Sequence, residues 1–184
     1  WLCAMPPGVG PVNVTLGYPL RARLAYAFVE RLVELQARRR TKGADCTFYH
    51  ADVTGLLAHP YVAGCDAELT RRLQEEIMRE RRISVEASWL GRNDLLRLVF
   101  SPAAGWRALS AWLSEVVAAV VRIPCPDDDA RRRTEFLAVI AGEIARLGNS
   151  LDECGIEPAP EVYASLLRRH LQTLRIPYEG EPLE

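Results

Sequence analysis

The chain has 184 residues, 49% of them hydrophobic and 26% charged. That is enough for one ordinary domain, and the balance excludes a disordered or fibrous polymer. Its 23 basic and 24 acidic side chains leave a net charge of −1, so no global field draws it to nucleic acid.

The first 14 residues carry Pro6, Pro7 and Pro11 but no basic leader and no initiator Met. They read as the middle of a longer chain, without a secretory signal. Residues 12–15 are a short β-prone stretch that ends at the turn formers Gly17 and Pro19. A helix is expected over about 21–40, with Leu24, Phe28, Leu32 and Leu35 as its buried stripe. Arg38, Arg39 and Arg40 close its last turn, where cations suit the helix dipole. A second helix is expected over 48–58, with Phe48, Val53, Leu56 and Leu57 inward and His59-Pro60 as its stop. Asp66 caps a third helix reaching about Arg82, with the stripe Leu69, Leu73 and Ile77.

Residues 83–85 read as extended, and 93–100 as a short helix. The strongly apolar helix over 106–122 is the expected centre of the core. Its segment 112–121 is the longest apolar candidate. Ser114 and Glu115 interrupt it, and it falls short of the roughly 18 residues that cross a bilayer. The run 123–126 then breaks the chain. Asp127, Asp128 and Asp129 stand in the first turn of a helix reaching about Leu147. The last helix begins at Pro160, a good first helical residue, and runs to about Thr173. Residues 175–178 read as a strand leaving the domain. The expected fold is therefore mainly α, an irregular bundle of six to seven helices with short strand-like segments at both ends. Helices framed by two strand-like ends suit an insertion into a parent α/β domain.

Two absences bound the chemistry. A P-loop needs Gly-Lys-Ser/Thr, yet the single lysine, Lys42, lies between Thr41 and Gly43. A PD-(D/E)XK nuclease needs an acid two residues before its lysine, and Arg40 stands there. No catalytic residue is expected. Cys46, His50, His59 and Cys65 could be assembled on paper into a zinc site, but their spacings lack tight ligand pairs. The plainer reading is an exposed His50 with two small, part-buried cysteines. A Cys–His nucleophile pair lacks a flanking Gly-rich oxyanion motif. The five cysteines (Cys3, Cys46, Cys65, Cys125 and Cys154) form no C-x-x-C pair and point to a reducing cytoplasm. The triplets Arg38-Arg39-Arg40 and Arg131-Arg132-Arg133 are the candidate DNA contacts, set against a plain reading as surface charges paired with nearby acids. The four tryptophans, Trp1, Trp89, Trp106 and Trp112, read as core or interface anchors.

Three segments resemble a known family. Residues 12–20, with Asn13, Thr15, Gly17, Tyr18 and Pro19, look like the NVTMGYPL segment of bacterial AddB-like proteins of the PD-(D/E)XK nuclease family. Residues 48–53 and 56–62, with Tyr49, Asp52, His59 and Pro60, are similar to the FYYKDVLALLNHPYI segment that follows there. Residues 176–183, with Pro177 and Gly180, resemble the IPFEGEPL segment that precedes the next helicase-like motif. These matches frame the chain, whereas 83–157 match only in helical pattern.

Such family members are built like a superfamily-1 helicase followed by a nuclease domain. The resemblance implies that 1–20 enter from a RecA-like domain, 21–175 form a 2B-type helical insertion, and 176–184 return. It implies a non-catalytic piece of a DNA-end-processing subunit that works beside an AddA-like helicase–nuclease, without cofactor or membrane. The family's nuclease acids and lysine have no counterparts here. The alternative is a stand-alone helical protein-interaction module with no nucleic-acid role.

Overall fold

The computed structural model describes residues 18–42, 45–123 and 130–176. They form a mainly helical body. Strand β1 (Tyr18–Pro19) leads through a 3-10 turn (Leu20–Ala22) into helix α1 (Leu24–Arg38). Strands β2 (Arg40–Lys42) and β3 (Asp45–Tyr49) follow, then α2 (His50–Leu57), α3 (Pro60–Ala63) and α4 (Ala67–Arg79). Next come β4 (Ser84–Glu86), α5 (Ala87–Leu90), α6 (Asp94–Val99) and α7 (Gly105–Val121). Helices α8 (Ala130–Glu153) and α9 (Pro160–Thr173) and strand β5 (Arg175–Ile176) complete it.

Local chemistry explains several helix starts. The Asp66 carboxylate accepts the Leu69 N–H at 2.9 Å, and the Asn93 side chain accepts that of Leu96 at 2.8 Å. Each satisfies a donor that the first turn would leave unpaired. Pro160 opens α9 as expected. Helix α7 buries Trp106, Leu109, Trp112, Leu113, Val116, Val117 and Val120, and packs on α6, α8 and α9. It is the central core element that its composition announced. Trp112 donates its indole N–H to the Leu98 carbonyl at 2.8 Å, so this anchor also ties α7 to the last turn of α6.

The structure revises several expectations. Among the described residues there are nine helices; two of them, α3 and α5, are single turns too short for a periodicity signal. Pro60 ends α2 and is also the first residue of α3. Arg40 does not close α1: the chain turns extended at Arg39 (φ −60°, ψ 148°), and Arg40 begins β2. Residues 45–49 are a strand, not the start of a helix, so Tyr49 lies on β3. Phe48 is buried in either reading, which is why burial alone misled. The extended reading of 83–85 agrees with β4, which pairs antiparallel with β3 (Phe48↔Val85, Tyr49↔Ser84), while β2 pairs on the other edge of β3. Leu24 is 56% exposed rather than part of the buried stripe. Helix α8 runs past Leu147 to Glu153, because Leu151 continues the stripe of Leu137, Ile140 and Ile144 across Gly148.

Helix α4 stops at Arg79, three residues short of the expected end. The Arg82 N–H reaches the Ile77 carbonyl at 3.1 Å and the Arg81 N–H reaches that of Met78 at 3.2 Å. This double bond pattern is a Schellman motif, whose central residue takes a left-handed backbone. Arg81 holds that place at φ 50°. Its Cβ is crowded there, so Arg81→Gly should raise the unfolding free energy by about 1 kcal/mol. Urea unfolding of the two proteins checks this; equal midpoints would show that the strain is relieved in some other way.

The two ends of the described chain meet. Tyr18 pairs with Ile176 and Pro19 with Arg175 in antiparallel register, and the Leu20 N–H donates to the Leu174 carbonyl at 3.0 Å. The helical body thus hangs from a two-strand stem.

Candidate functional site

The segment 48–62 forms a hub between α1 and the sheet. Asp52, nearly buried, accepts from Arg38 at 2.8 Å, tying α2 to the end of α1. Its second oxygen is buried without a hydrogen-bond partner. His59 caps α3 by accepting the Tyr61 N–H on Nδ1 at 3.3 Å. The Phe28, His59 and Tyr61 rings pack together, with centroids 4.9–5.5 Å apart. Tyr49, by contrast, is 45% exposed and meets His50 edge-on.

Burial pushes the His59 imidazole down to about 4, with the Arg31 charge adding to the effect and the Leu24 carbonyl opposing it. The ring is therefore neutral in the folded chain at pH 7. The unfolded chain takes up its proton near pH 6.5, the folded chain only near pH 4. Stability from this group is full above pH 6.5 and is lost as pH falls toward 4, on the order of 2 kcal/mol after allowance for solvent screening. His59→Asn keeps a capping side chain but cannot titrate. The variant should lose less stability than the parent between pH 7 and pH 4.5. Equal losses would remove His59 as the source.

The arginine triplets do not present uniform rows of charge. Arg38 is engaged by Asp52. Arg39 folds back on the Gln36 carbonyl at 3.1 Å and its side-chain oxygen at 3.3 Å. Arg40 is exposed at the start of β2. Arg131 lies on α8, with its side chain outside the described residues. Arg132 is exposed, whereas Arg133 donates to the Ile123 carbonyl and lies 5.8 Å from the Tyr61 ring centre. Tyr61 in turn packs on Phe28, with ring centres 5.5 Å apart, ten residues before Arg38 on α1. Asn13, Thr15, Gly17, Pro177 and Gly180, the expected β-prone stretch 12–15 and the acids Asp127–Asp129 all lie outside the described residues. Tyr18 and Pro19 form β1 of the stem.

No three His, Cys, Asp or Glu side chains among the described residues converge as a metal site. Cys46 is buried in β3, His59 is spent on its cap, and Cys65 is exposed. Burial raises the Cys46 thiol, with Arg39 and Thr41 opposing, which makes it a poor nucleophile.

Three polar clusters were invisible to sequence reasoning because their members are far apart in the chain. Gln36, 3% exposed, donates to the Ser101 carbonyl at 2.8 Å and accepts the Ala103 N–H at 3.1 Å. Glu143 accepts from both Arg146 and His170, clasping α8 to α9. Burial would raise this carboxyl, but those two hydrogen bonds outweigh it and hold the group below its ordinary range. Arg107 bridges Asp152 and Glu157 at 2.6 Å each, while Trp106 donates to Glu157 at 2.8 Å. These last charges are exposed, so they contribute little stability.

No family model, curated protein or solved structure matches this chain.

Proposed function

We propose that this chain is a non-catalytic helical insertion domain of a larger bacterial AddB-like helicase–nuclease subunit that processes double-strand DNA ends in the cytoplasm. One observation carries the reading: the antiparallel stem of β1 and β5 sets entry and exit side by side. A domain inserted into a parent must leave and rejoin it at neighbouring points. The stem falls where two of the three family-like segments begin and end. In this role the domain guides duplex DNA or packs against an AddA-like partner subunit, and chemistry happens elsewhere in the parent.

The test uses the purified chain, ATP, magnesium and a blunt or forked duplex. We expect neither ATP hydrolysis nor DNA cleavage, and we expect duplex binding that weakens steeply with salt. Metal-dependent cleavage by pure material would overturn the reading. Absence of binding at low salt would remove the DNA-guiding role.

A second reading, a stand-alone protein-interaction module, is favoured by one feature. Ile156 and the α9 residues Val162 and Leu166 are 42–51% exposed, an apolar strip on the outer side of that helix.

A further inference from the structure

The end of α4 and the turn after α5 bring arginines together in a way that local structure does not ask for. Arg81 occupies the left-handed position of the Schellman motif, where glycine is the ordinary residue. The next residue, Arg82, lies over the Trp89 ring with its guanidinium carbon 4.6 Å from the ring centre. Arg92 approaches the same ring at 5.5 Å. The two guanidinium carbons are therefore no more than about 10 Å apart, a spacing compatible with neighbouring phosphates on one strand.

Each stacked arginine is fixed through its Nε. Arg82 donates to Glu80 at 2.6 Å and Arg92 donates to the Trp89 carbonyl at 2.9 Å. Their terminal Nη groups have no hydrogen-bond partner among the described residues. Arg79, 73% exposed, adds a fourth cation, and Glu80 is the acid paired with this group. Further along the chain, Glu86 faces Thr47 across the sheet, and Asp94 is paired with Arg97 at 2.8 Å.

The helix dipole explains Arg79, which sits in the last turn of α4. It does not explain Arg92, which lies beyond α5. Nor does it explain an arginine held at a backbone angle that favours glycine. Two like charges stacked on one indole repel each other in the free protein, and an anion bridging their Nη groups relieves that repulsion. Flat, pre-oriented guanidiniums suit phosphate oxygens, which they meet with paired N–H donors.

We propose that Arg81, Arg82 and Arg92, with Trp89 as the platform for the last two, form a contact site for the phosphodiester backbone of duplex DNA. The proposal rests on the DNA-guiding reading and relocates the contact away from the two arginine triplets.

The experiment measures anisotropy of a labelled blunt duplex with the full chain across a salt series. Arg82→Gln/Arg92→Gln should weaken binding and reduce the salt slope by about two, roughly one per lost phosphate contact. Arg81→Gly should also weaken binding while raising Tm by about 2–4 °C, so unfolding cannot account for the loss. Arg72→Gln, on the charged outer face of α4, is the control and should bind like the parent. If the parent binds duplex and all variants bind equally, this site is wrong while DNA guidance stands. If the parent binds no duplex at low salt, both fail together. Polyglutamate bound by the parent as tightly as a duplex strand at matched charge would overturn the assignment to phosphodiesters.

Discussion

Tyr163→Ala should lower the unfolding free energy by about 3–5 kcal/mol, a large part of the roughly 5–15 kcal/mol that holds a domain together. The side chain is fully buried on α9 and its ring centre lies 5.8 Å from that of Trp106 on α7. Removing it empties the place where α9 meets the central helix, and the body there cannot fully collapse. The hydroxyl is a different matter. Burial pushes the phenol up, and Ser110 is a polar neighbour, but the oxygen makes no well-formed hydrogen bond. Tyr163→Phe should therefore stay within about 1 kcal/mol of the parent. Urea unfolding followed by circular dichroism separates the two variants. Equal costs would show that the hydroxyl, rather than ring packing, matters here. The consequence reaches the stem, because α9 leads directly into β5. A loosened α9 would free β5 and so weaken its pairing with β1.

Gln36→Met should cost about 2–4 kcal/mol, although the two side chains have similar volume and the apolar one is easier to bury. Gln36 satisfies two backbone groups in the segment between α6 and α7, the Ser101 carbonyl and the Ala103 N–H. Ala103 is itself buried, so water does not readily replace the lost partner. Each orphaned group then carries its desolvation penalty. Hydrogen exchange gives a residue-level reading. The Ala103 amide should exchange much faster in the variant, and unchanged protection there would sink the explanation. Gln36 also receives Arg39, so the same substitution releases one member of the first arginine triplet.

The helices were legible in the sequence to different degrees, for identifiable reasons. Helices α4, α6 and α9 carry their own start signals in Asp66, Asn93 and Pro160, and each signal acts within one turn. Helix α7 was legible because its apolar content exceeds what a surface helix carries. The sheet was not legible beyond β4. Strand β3 gains its identity from hydrogen bonds to β2, 3–7 positions away, and to β4, 35–39 positions away, and local preference cannot count those partners. The ends of α1 and α4 were misjudged for the same reason. Arg38, Arg39 and Arg40 look alike as side chains, yet the backbone turns extended at the second of them. Arg81 is a good helix former, yet the hydrogen bonds of the motif that ends α4 hold it left-handed.

Taken as sequence, this chain determines a mainly helical body, the placement of most helices, the central role of residues 105–121 and the lack of a P-loop or a PD-(D/E)XK lysine. Those properties depend on residue type and near-neighbour spacing. Tertiary structure decided which charges are engaged: Arg38 on Asp52, Arg39 on Gln36, Arg133 on the Ile123 carbonyl. It also decided that Arg82 and Arg92 share one indole and that the first and last strands pair. These depend on contacts between residues far apart in the chain, whose distances are set only when the whole core packs.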